Sequence, residues 1–350
     1  MAGQLRLLIP GLLGPVPSEW FAGLEVELAR RPAAARLARL LARADPIPGL
    51  ADGPAPALLA AFGVAVAPDL DLPSAPFCRL ADDPDAPIGG YWLHADPVHL
   101  HPDRDQLRLF DARSLDLSAA EASELAALFN DHFDAVGVRL SVPAPTRWYL
   151  RLGAAPGLRT TPLETVVRRP VAPFLPRGEG ADHWAVLLNE AQMLFHGAEV
   201  NRRREAAGRP SVNAIWPWGG GALPVSAQTP PYDWVHAAAP LAVGLARWAG
   251  IPIADGPLPV LAGVGTLGDR LVYWDAPLQG LRDDDPAAWV AAVDRFEAWL
   301  ADLPGAIGRG RLAALVLDPC LGRGYRVDRR TQRRLWRRAP PLLARLVRST

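Results

Sequence analysis

Apolar residues spaced three and four positions apart predict the helices of this chain. The strongest pattern begins at Trp184 and ends at Gly208 and Pro210, residue types that stop helices. Shorter patterns predict helices over 18–44 with a break near Pro32, and over 57–62, 118–134, 234–249 and 286–300. The apolar stripe of the longest helix consists of Leu187, Leu188, Ala191, Leu194, Phe195 and Ala198.

Short apolar or alternating runs predict the strands. Residues 91–100 and 106–110 alternate around a polar turn and predict a hairpin, and further strands are expected at 138–142, 147–152 and 211–218. Residues 5–9, 270–274 and 312–317 are almost wholly apolar, which is typical of buried parallel strands. Residues 45–90 are otherwise rich in Pro, Gly and Asp and are expected to be irregular.

The placement of these strands predicts a discontinuous α/β fold. Buried parallel-type strands occur near both ends of the chain, whereas the middle has hairpin-type strands. We therefore expect a core domain formed by residues 1–90 and 228–350, with an inserted α/β domain at 91–227. A chain of 350 residues is long enough for two domains.

Composition narrows the classes of function. The chain has 37 basic and 37 acidic residues, so its overall charge does not favour nucleic acid as a partner. Every basic residue is Arg, which excludes a catalytic lysine. Cys78 and Cys320 are far apart in sequence, which is typical of a reducing cytoplasm. No apolar run of 18 residues occurs, and the N-terminal segment reads as a first strand, so neither a membrane span nor a signal peptide is expected.

The region around the longest helix carries the candidate chemistry. Asn189, Gln192 and His196 repeat at helical spacing beside the apolar stripe and present neutral hydrogen-bonding groups. Downstream, Asn201, three consecutive arginines ending at Arg204 and the glycine run 219–221 are donors of the kind that bind an anion. The alternative is that the arginines form the solvated end of a surface helix and the glycines a tight turn. No nucleotide-binding glycine motif is present.

Three other groups of residues have both a functional and a structural interpretation. His94, His99 and His101 could bind a metal ion or could simply be strand residues. Asp283 to Asp285 precede Pro286 and suit the start of a helix. The arginine-rich tail from Arg323 to Arg348 could meet an acidic partner or could be a solvated surface.

Several segments carry a resemblance to known families. The segments NEAQM and WPWGGG, with YWLHADPVHLHPDRDQLRLFD upstream and LWRRAPPLL near the end, resemble the bacterial RpfE-type regulatory proteins over nearly the whole chain. The middle region is also distantly similar to the archaeal-type cofactor-independent phosphoglycerate mutases, which belong to the alkaline phosphatase-like superfamily. The positions that match the mutase motif are Asn201, Arg204, Gly208, Asn213, Trp218, Gly219 and Gly221. This resemblance implies an α/β core with an inserted substrate domain.

The chain departs from the mutase pattern at the reactive centre. Where the mutases have a metal-binding Asp after the first strand, this chain has Pro10 and Gly11, and where they have a Gly-Ser-Asp nucleophile segment it has Gly53, Pro54 and Ala55. The later metal-binding Asp and His would fall near Leu278 and Leu281, and an Asp-His pair near 318–320. Of the side chains at these positions, only Asp318 suits a hard cation.

The sequence therefore predicts a regulatory or ligand-binding protein related to the mutases, without a metal or other cofactor. The alternative is an active mutase or phosphatase that uses a divalent metal such as Mn²⁺, with ligands from the three histidines or Asp318. The partners expected are a small anionic or phosphorylated ligand or another protein. The predicted ligand-binding residues are Asn189, Gln192, His196, Asn201, Arg204, Asn213, Trp216, Trp218 and Gly219.

Overall fold

The computed structural model describes residues 2–67, 70–85, 87–224, 231–255 and 268–349. The chain divides into two compact units. Unit 1 comprises Met1–Ala65 and Ser226–Thr350, and unit 2 comprises Val66–Val225. The first boundary thus lies near residue 65, and the sequence pattern predicts it at 90. The difference arises because residues 70–85 contain a helix that packs on the sheet of unit 2.

The strands and helices of the described residues follow in chain order. The strands are β1 (Gln4–Leu8), β2 (Asp45–Asp52), β3 (Tyr91–Asp103), β4 (Gln106–Asp111), β5 (Arg139–Ala144), β6 (Arg147–Leu152), β7 (Ala214–Gly221), β8 (Trp234–His236), β9 (Ile253–Ala254), β10 (Arg270–Tyr273), β11 (Ala314–Asp318) and β12 (Leu321–Asp328). The helices are α1 (Phe21–Ala29), α2 (Pro32–Arg43), α3 (Pro54–Ala61), α4 (Ser74–Asp82), α5 (Ala119–Phe133), α6 (Leu163–Val166), α7 (Ala181–His196), α8 (Glu199–Ala206), α9 (Pro240–Trp248), α10 (Ala276–Arg282), α11 (Pro286–Gly308) and α12 (Arg329–Gln332).

Unit 1 is built on a sheet with the order β2-β12-β11-β1-β10-β8-β9. The strands β11, β1, β10, β8 and β9 run parallel, and β12 is antiparallel to both of its neighbours. Leu7 and Leu317 of the central strands pack with Leu37 of α2 and Phe296 of α11 in one hydrophobic core. Complete burial of each such side chain stabilises the fold by about 1.5–3 kcal/mol. The predicted buried strands near both chain ends are confirmed.

Unit 2 is built on an antiparallel sheet with the order β4-β3-β6-β5. The long strand β3 pairs with β6 near its start and with β4 near its end, and β7 also pairs with β3. One face of the sheet packs against α5 and α7, where Phe129 and Phe195 meet Trp148 and Leu150. Because side chains alternate along a strand, neighbouring positions such as His94 and Tyr149 point to the opposite face, on which α4 packs. The predicted hairpin is confirmed as β3 and β4.

The long predicted helix is in fact two helices. α7 ends at His196 and α8 begins at Glu199, because Ala198 has an extended backbone with φ −70° and ψ 136°. The side-chain amide of Asn201 donates to the Phe195 carbonyl at 2.8 Å and so satisfies one of the free carbonyls at the end of α7. The predicted apolar stripe is buried at Leu187, Ala191 and Phe195.

Two other predictions need correction. Residues 45–52, expected to be irregular, form the edge strand β2, in which Pro46 and Pro48 are tolerated because one side of an edge strand needs no ladder hydrogen bonds. Residues 234–249, expected to be one helix, form β8 and then α9, which starts at Pro240 because proline fits the first helical turn. Among the described residues, no helix has both the length and the apolar character needed to span a bilayer.

Candidate functional site

The nine predicted ligand-binding residues lie on α7, α8 and β7 of unit 2 or in the turn between them. On α7, Asn189 and His196 are exposed and Gln192 is half-buried. The exposed ones are on the side of the helix away from the core stripe. The polar side chains thus lie beside the apolar stripe, and their binding of a ligand stays a prediction.

Arg204 is buried, and its guanidinium group is bound to the protein itself. Its Nε donates to the Pro210 carbonyl at 2.9 Å, Nη1 pairs with the Glu121 carboxylate at 3.0 Å, and Nη2 donates to the Leu115 carbonyl. Burial would raise the pKa of the Glu121 carboxyl, but hydrogen bonds from Ser118 and the charge of Arg204 outweigh it, so this pKa is lowered. In this arrangement Arg204 joins α8 to the start of α5, and an anion could bind it only by displacing these partners.

The two asparagines of the motif also bind backbone groups. The Asn201 side chain accepts from the Val212 amide at 2.9 Å and donates to its carbonyl at 2.8 Å. The Asn213 side chain makes the same pair of hydrogen bonds with Leu100, at 2.7 and 3.0 Å. Both amides therefore hold extended segments in place, and their partners lie 11 and 113 residues away in sequence.

The tryptophans of β7 are anchored by their indole N–H groups. Trp216 donates to the Thr161 carbonyl at 2.8 Å, and Trp218 donates to the Asp96 carboxylate at 2.8 Å. The Trp218 ring also stacks on the His94 ring, with 4.0 Å between centroids. Gly219, with φ +65°, follows in the same strand, and its backbone N–H donates to the Thr160 hydroxyl at 3.2 Å.

A buried polar layer lies beneath Trp218, and the sequence analysis missed most of it. Asp82 of α4 accepts two hydrogen bonds from Arg147 at 2.8 Å each and one from the Tyr149 hydroxyl at 2.7 Å. Asp82 also ties α4 to strand β6, because a bidentate arginine pair fixes orientation as well as distance. The sequence indicated this layer only weakly, because Arg147 and Tyr149 alternate with core residues as polar residues do in many strands.

Several groups in and around this layer have shifted pKa values, and Asp96 and His94 are the two that change its charge near neutral pH. Burial raises the pKa of Asp96 to about 7, although hydrogen bonds from Trp218 and Trp148 act in the opposite direction. Burial lowers the pKa of His94 to about 3, so this imidazole is neutral near pH 7. The layer is therefore less charged at neutral pH than its composition implies.

The predicted histidine cluster is spread over β3. His94 is buried under Trp218, His99 makes a 2.8 Å hydrogen bond through Nδ1 with the Ser211 carbonyl, and His101 is exposed. The His99 and His101 rings do share a face, with 5.9 Å between centroids. His94 lies five positions from His99, so its ring is on the other face. These positions do not bring the three imidazoles together.

In unit 1, the segments compared with the reactive centre of the mutases meet at one end of the parallel strands. The Ile9 amide, directly after β1, donates to the Asp318 carbonyl at 2.9 Å. The Gly53 amide, at the start of α3, donates to the Cys320 carbonyl at 2.9 Å. This end of the sheet is where α/β proteins place their ligands.

The Asp318 carboxylate at this end is bound to backbone amides. It is 1% exposed, and it accepts from the Leu50 amide at 2.9 Å through one oxygen and from the Cys320 amide at 2.9 Å through the other. Two backbone hydrogen bonds hold a buried carboxylate without requiring a cation.

The turn compared with the first metal-binding Asp consists of Pro10, which has no metal-binding atom, and Gly11, which is closed by backbone. Gly11 has φ +78°, and a Cβ atom added there would lie 2.7 Å from both the Cα and the N of Leu278. Its carbonyl accepts a 2.8 Å hydrogen bond from Trp289 Nε1, and Leu12 and Leu13 beside it are fully buried. A carboxylate side chain cannot be accommodated at this position without displacing α10.

The donors at this end therefore do not fit the divalent metal that the mutase resemblance implies. Asp318 supplies a suitable carboxylate, but glycine, proline, alanine, leucine and the buried Cys320, whose sulfur is a poor ligand for a hard cation, stand at the other compared positions. Across the described part of the chain, no three His, Cys, Asp or Glu side chains are grouped so that they could hold a metal ion.

The chain was compared with protein-family models, curated proteins and solved structures. No protein-family model matches the chain. It is 30% identical over 135 residues to a probable 2,3-bisphosphoglycerate-independent phosphoglycerate mutase of Geobacter sulfurreducens, covering 36% of this chain and 32% of that protein. It is 36% identical over 64 residues to the corresponding mutase of Methanothrix thermoacetophila, covering 18% and 16%. The matched part thus spans about a third or less of these curated relatives.

Among solved structures, the PH0037 protein from Pyrococcus horikoshii superposes with a TM-score of 0.57 at 14% identity, covering 93% of this chain and 87% of that one. The cofactor-independent phosphoglycerate mutase from Thermoplasma acidophilum gives a TM-score of 0.46 at 17% identity, covering 94% and 90%. The chain is therefore similar in sequence to these phosphoglycerate mutases over the matched residues, and it shares the fold of the PH0037 protein. The resemblance to RpfE-type regulatory proteins is not confirmed and stays a prediction.

Proposed function

We propose that this protein is a noncatalytic relative of the cofactor-independent phosphoglycerate mutases that binds a ligand or partner instead of transferring phosphate. The observation that carries this proposal is the turn of Pro10 and Gly11, where proline has no metal-binding atom and the backbone of Leu278 occupies the space that a side chain at Gly11 needs. The matched relatives are mutases, so the proposal concerns what this chain does with a shared fold.

The chemistry of phosphoryl transfer supports the same proposal. Transfer through a phosphoenzyme needs a nucleophilic side chain and a cation that neutralises the developing charge. Pro54 and Ala55 at the start of α3 have no nucleophilic atom. The oxygens of Asp318 accept from backbone amides, and their hydrogen bonds would have to break before a metal ion could bind.

A mutase assay tests this proposal. Purified full-length protein is mixed with Mn²⁺ and 3-phosphoglycerate, formation of 2-phosphoglycerate is followed, and Mn²⁺ binding is titrated by calorimetry. We expect no turnover above the protein-free control and no saturable Mn²⁺ binding. Mn²⁺-dependent turnover that is lost in Asp318→Asn but kept in Asp105→Asn, an exposed turn carboxylate, would establish the alternative of an active enzyme.

A second candidate function, docking of an acidic protein segment, is favoured by the tail. Leu335 and Trp336 are 71% and 76% exposed, and Arg333, Arg337 and Arg338 around them are exposed as well. Tryptophan and arginine are the residues that most often dominate binding energy at interfaces. Binding of poly-L-glutamate that is lost in Trp336→Ser but kept in Met193→Ser, an equally exposed site, supports this function, and equal binding by both variants refutes it.

A further inference from the structure

A row of arginines crosses one face of the sheet of unit 2. Arg139 of β5 lies opposite Arg151 of β6, and Arg151 lies opposite Trp92 of β3. Directly opposed residues of antiparallel strands point to the same face. The guanidinium group of Arg79, from α4, lies over the Trp92 ring at 4.6 Å from its centroid. Two arginines of neighbouring strands and one arginine of the helix packed on them therefore lie on the same face of the sheet.

Arg79 is the most unusual member of this row. Its side chain is fully buried, and none of its three guanidinium nitrogens has a hydrogen-bond partner among the described residues. The indole N–H of Trp92 is likewise buried without a partner there. Burial lowers the pKa of Arg79, and the nearby charge of Asp83 opposes this shift. A buried charge without a hydrogen-bonded partner is strongly destabilising, so such a group normally has an anionic partner.

Arg139 and Arg151 are exposed and form no ion pair within the described part of the chain. Like charges directly opposite each other on a sheet repel, and among the described residues no carboxylate is bound between these two. The pair lines a cavity of about 480 Å³, which is the size of a small-molecule site. Asp134 is the acidic residue of its lining, so the arginines exceed the carboxylates around the site.

Glycines form much of the cavity wall. A Cβ atom at Gly90, which has φ +103°, would lie 3.2 Å from Arg151 Nε and from the Leu152 carbonyl oxygen. Glycine thus leaves room for the guanidinium group, and a glycine-rich wall also lets a ligand approach backbone N–H groups closely. The amide of Asn130, another lining residue, is already bound to the Leu140 backbone at 2.7 and 2.9 Å. The lining glycines are Gly89, Gly90, Gly137 and Gly153.

We propose that this cavity binds the oxyanion of a small phosphorylated molecule, with Arg139 and Arg151 in contact with it and Arg79 as the buried cation behind them. The donors that line the cavity without an ion pair are the guanidinium groups of Arg139 and Arg151, so the ligand must bring acceptor atoms and negative charge. A phosphate group carries both and matches the planar fork of arginine. This inference rests on the proposed ligand-binding function, and it places the anion site at this cavity instead of at Arg204, whose donors are occupied.

Calorimetry with defined anions tests the site. Inorganic phosphate, 3-phosphoglycerate and acetate are titrated into full-length protein at constant ionic strength. We expect saturable binding of the two phosphate compounds and at least a tenfold loss of affinity in Arg139→Ala and in Arg151→Ala. Arg309→Ala, at an exposed arginine of unit 1, is the matched control and should bind like the wild type. No saturable phosphate binding, equal binding by Arg151→Ala, or acetate binding as tightly as phosphate overturns the proposal.

The buried member needs a readout that also detects misfolding. Arg79→Met has a similar length without charge, and its thermal unfolding is recorded with and without phosphate. We expect the variant to fold and to lose most of the phosphate-induced rise in Tm seen in the wild type. An undiminished rise excludes Arg79 and overturns the three-arginine site. If phosphate does not bind at this cavity and Mn²⁺-dependent turnover is also absent, only the anion site is refuted and the proposed noncatalytic function is not. Mn²⁺-dependent turnover refutes the noncatalytic function whether or not phosphate binds.

Discussion

The buried carboxyl of Asp96 makes the stability of this protein depend on pH in a defined way. Asp96 is 5% exposed and accepts hydrogen bonds from Trp218 at 2.8 Å and from the Trp148 amide at 3.4 Å. In Asp96→Asn, the side-chain oxygen can still accept from Trp218, but the group no longer titrates. The free energy of unfolding of the variant relative to the wild type therefore isolates the ionisation of one carboxyl.

The sign and size follow from the pKa. Burial raises the pKa of Asp96 from 3.8 to about 7, so between these values the folded state holds a proton that the unfolded state has lost. Wild-type stability consequently falls as pH rises through this window, by about 1.4 kcal/mol per pH unit. From pH 5 to pH 8 the expected loss is roughly 2–3 kcal/mol. Asp96→Asn lacks this loss, so its stability relative to the wild type should rise by the same amount.

Urea unfolding of both proteins at several pH values between 5 and 8 measures this difference. His94, whose burial lowers its pKa to about 3, opposes the trend below pH 6.5 but is present in both proteins, so its contribution cancels. Asp105→Asn, in an exposed turn, controls for the general effect of removing a carboxylate. A difference between Asp96→Asn and the wild type that stays constant across this range would falsify the reasoning.

The remaining predictions concern single contacts. Arg204→Met should lower the free energy of unfolding by roughly 2–4 kcal/mol in urea titrations, because it leaves the carbonyls of Leu115 and Pro210 without their donor and removes one of the two arginines paired with Glu121. The exposed Arg203→Ala should change it little, and similar effects of the two variants would contradict the structural role of Arg204. Gly11→Ala should cost roughly 1–3 kcal/mol in the same assay, since its Cβ meets backbone at 2.7 Å, and an unchanged midpoint would show that α10 can move. The buried thiols of Cys78 and Cys320, whose pKa values are raised chiefly by burial, should react with a thiol reagent at pH 7.5 only after denaturant is added, and rapid labelling of native protein would contradict this burial.

Local patterns were enough to predict the elements that depend on neighbouring residues. The capping box of Ser118 and Glu121 is present at the start of α5, with hydrogen bonds of 3.2 and 2.9 Å, because both partners lie within one helical turn. The apolar stripe of α7 and the hairpin of β3 and β4 likewise depend on spacing along the chain. The strand β2 escaped prediction because an edge strand containing Pro46 and Pro48 has the composition of a loop.

The roles of individual polar side chains were decided by tertiary structure. Arg204 and Asn213 belong to a motif that the sequence alone interprets as a ligand site, yet their partners Glu121 and Leu100 lie 83 and 113 residues away, and no spacing rule identifies them. Arg79 gave no signal at all, because one arginine in a short helix does not reveal that it will be buried over Trp92. Spacing determines which face of an element is apolar, whereas the contacts of a buried charge depend on which distant strand folds against it.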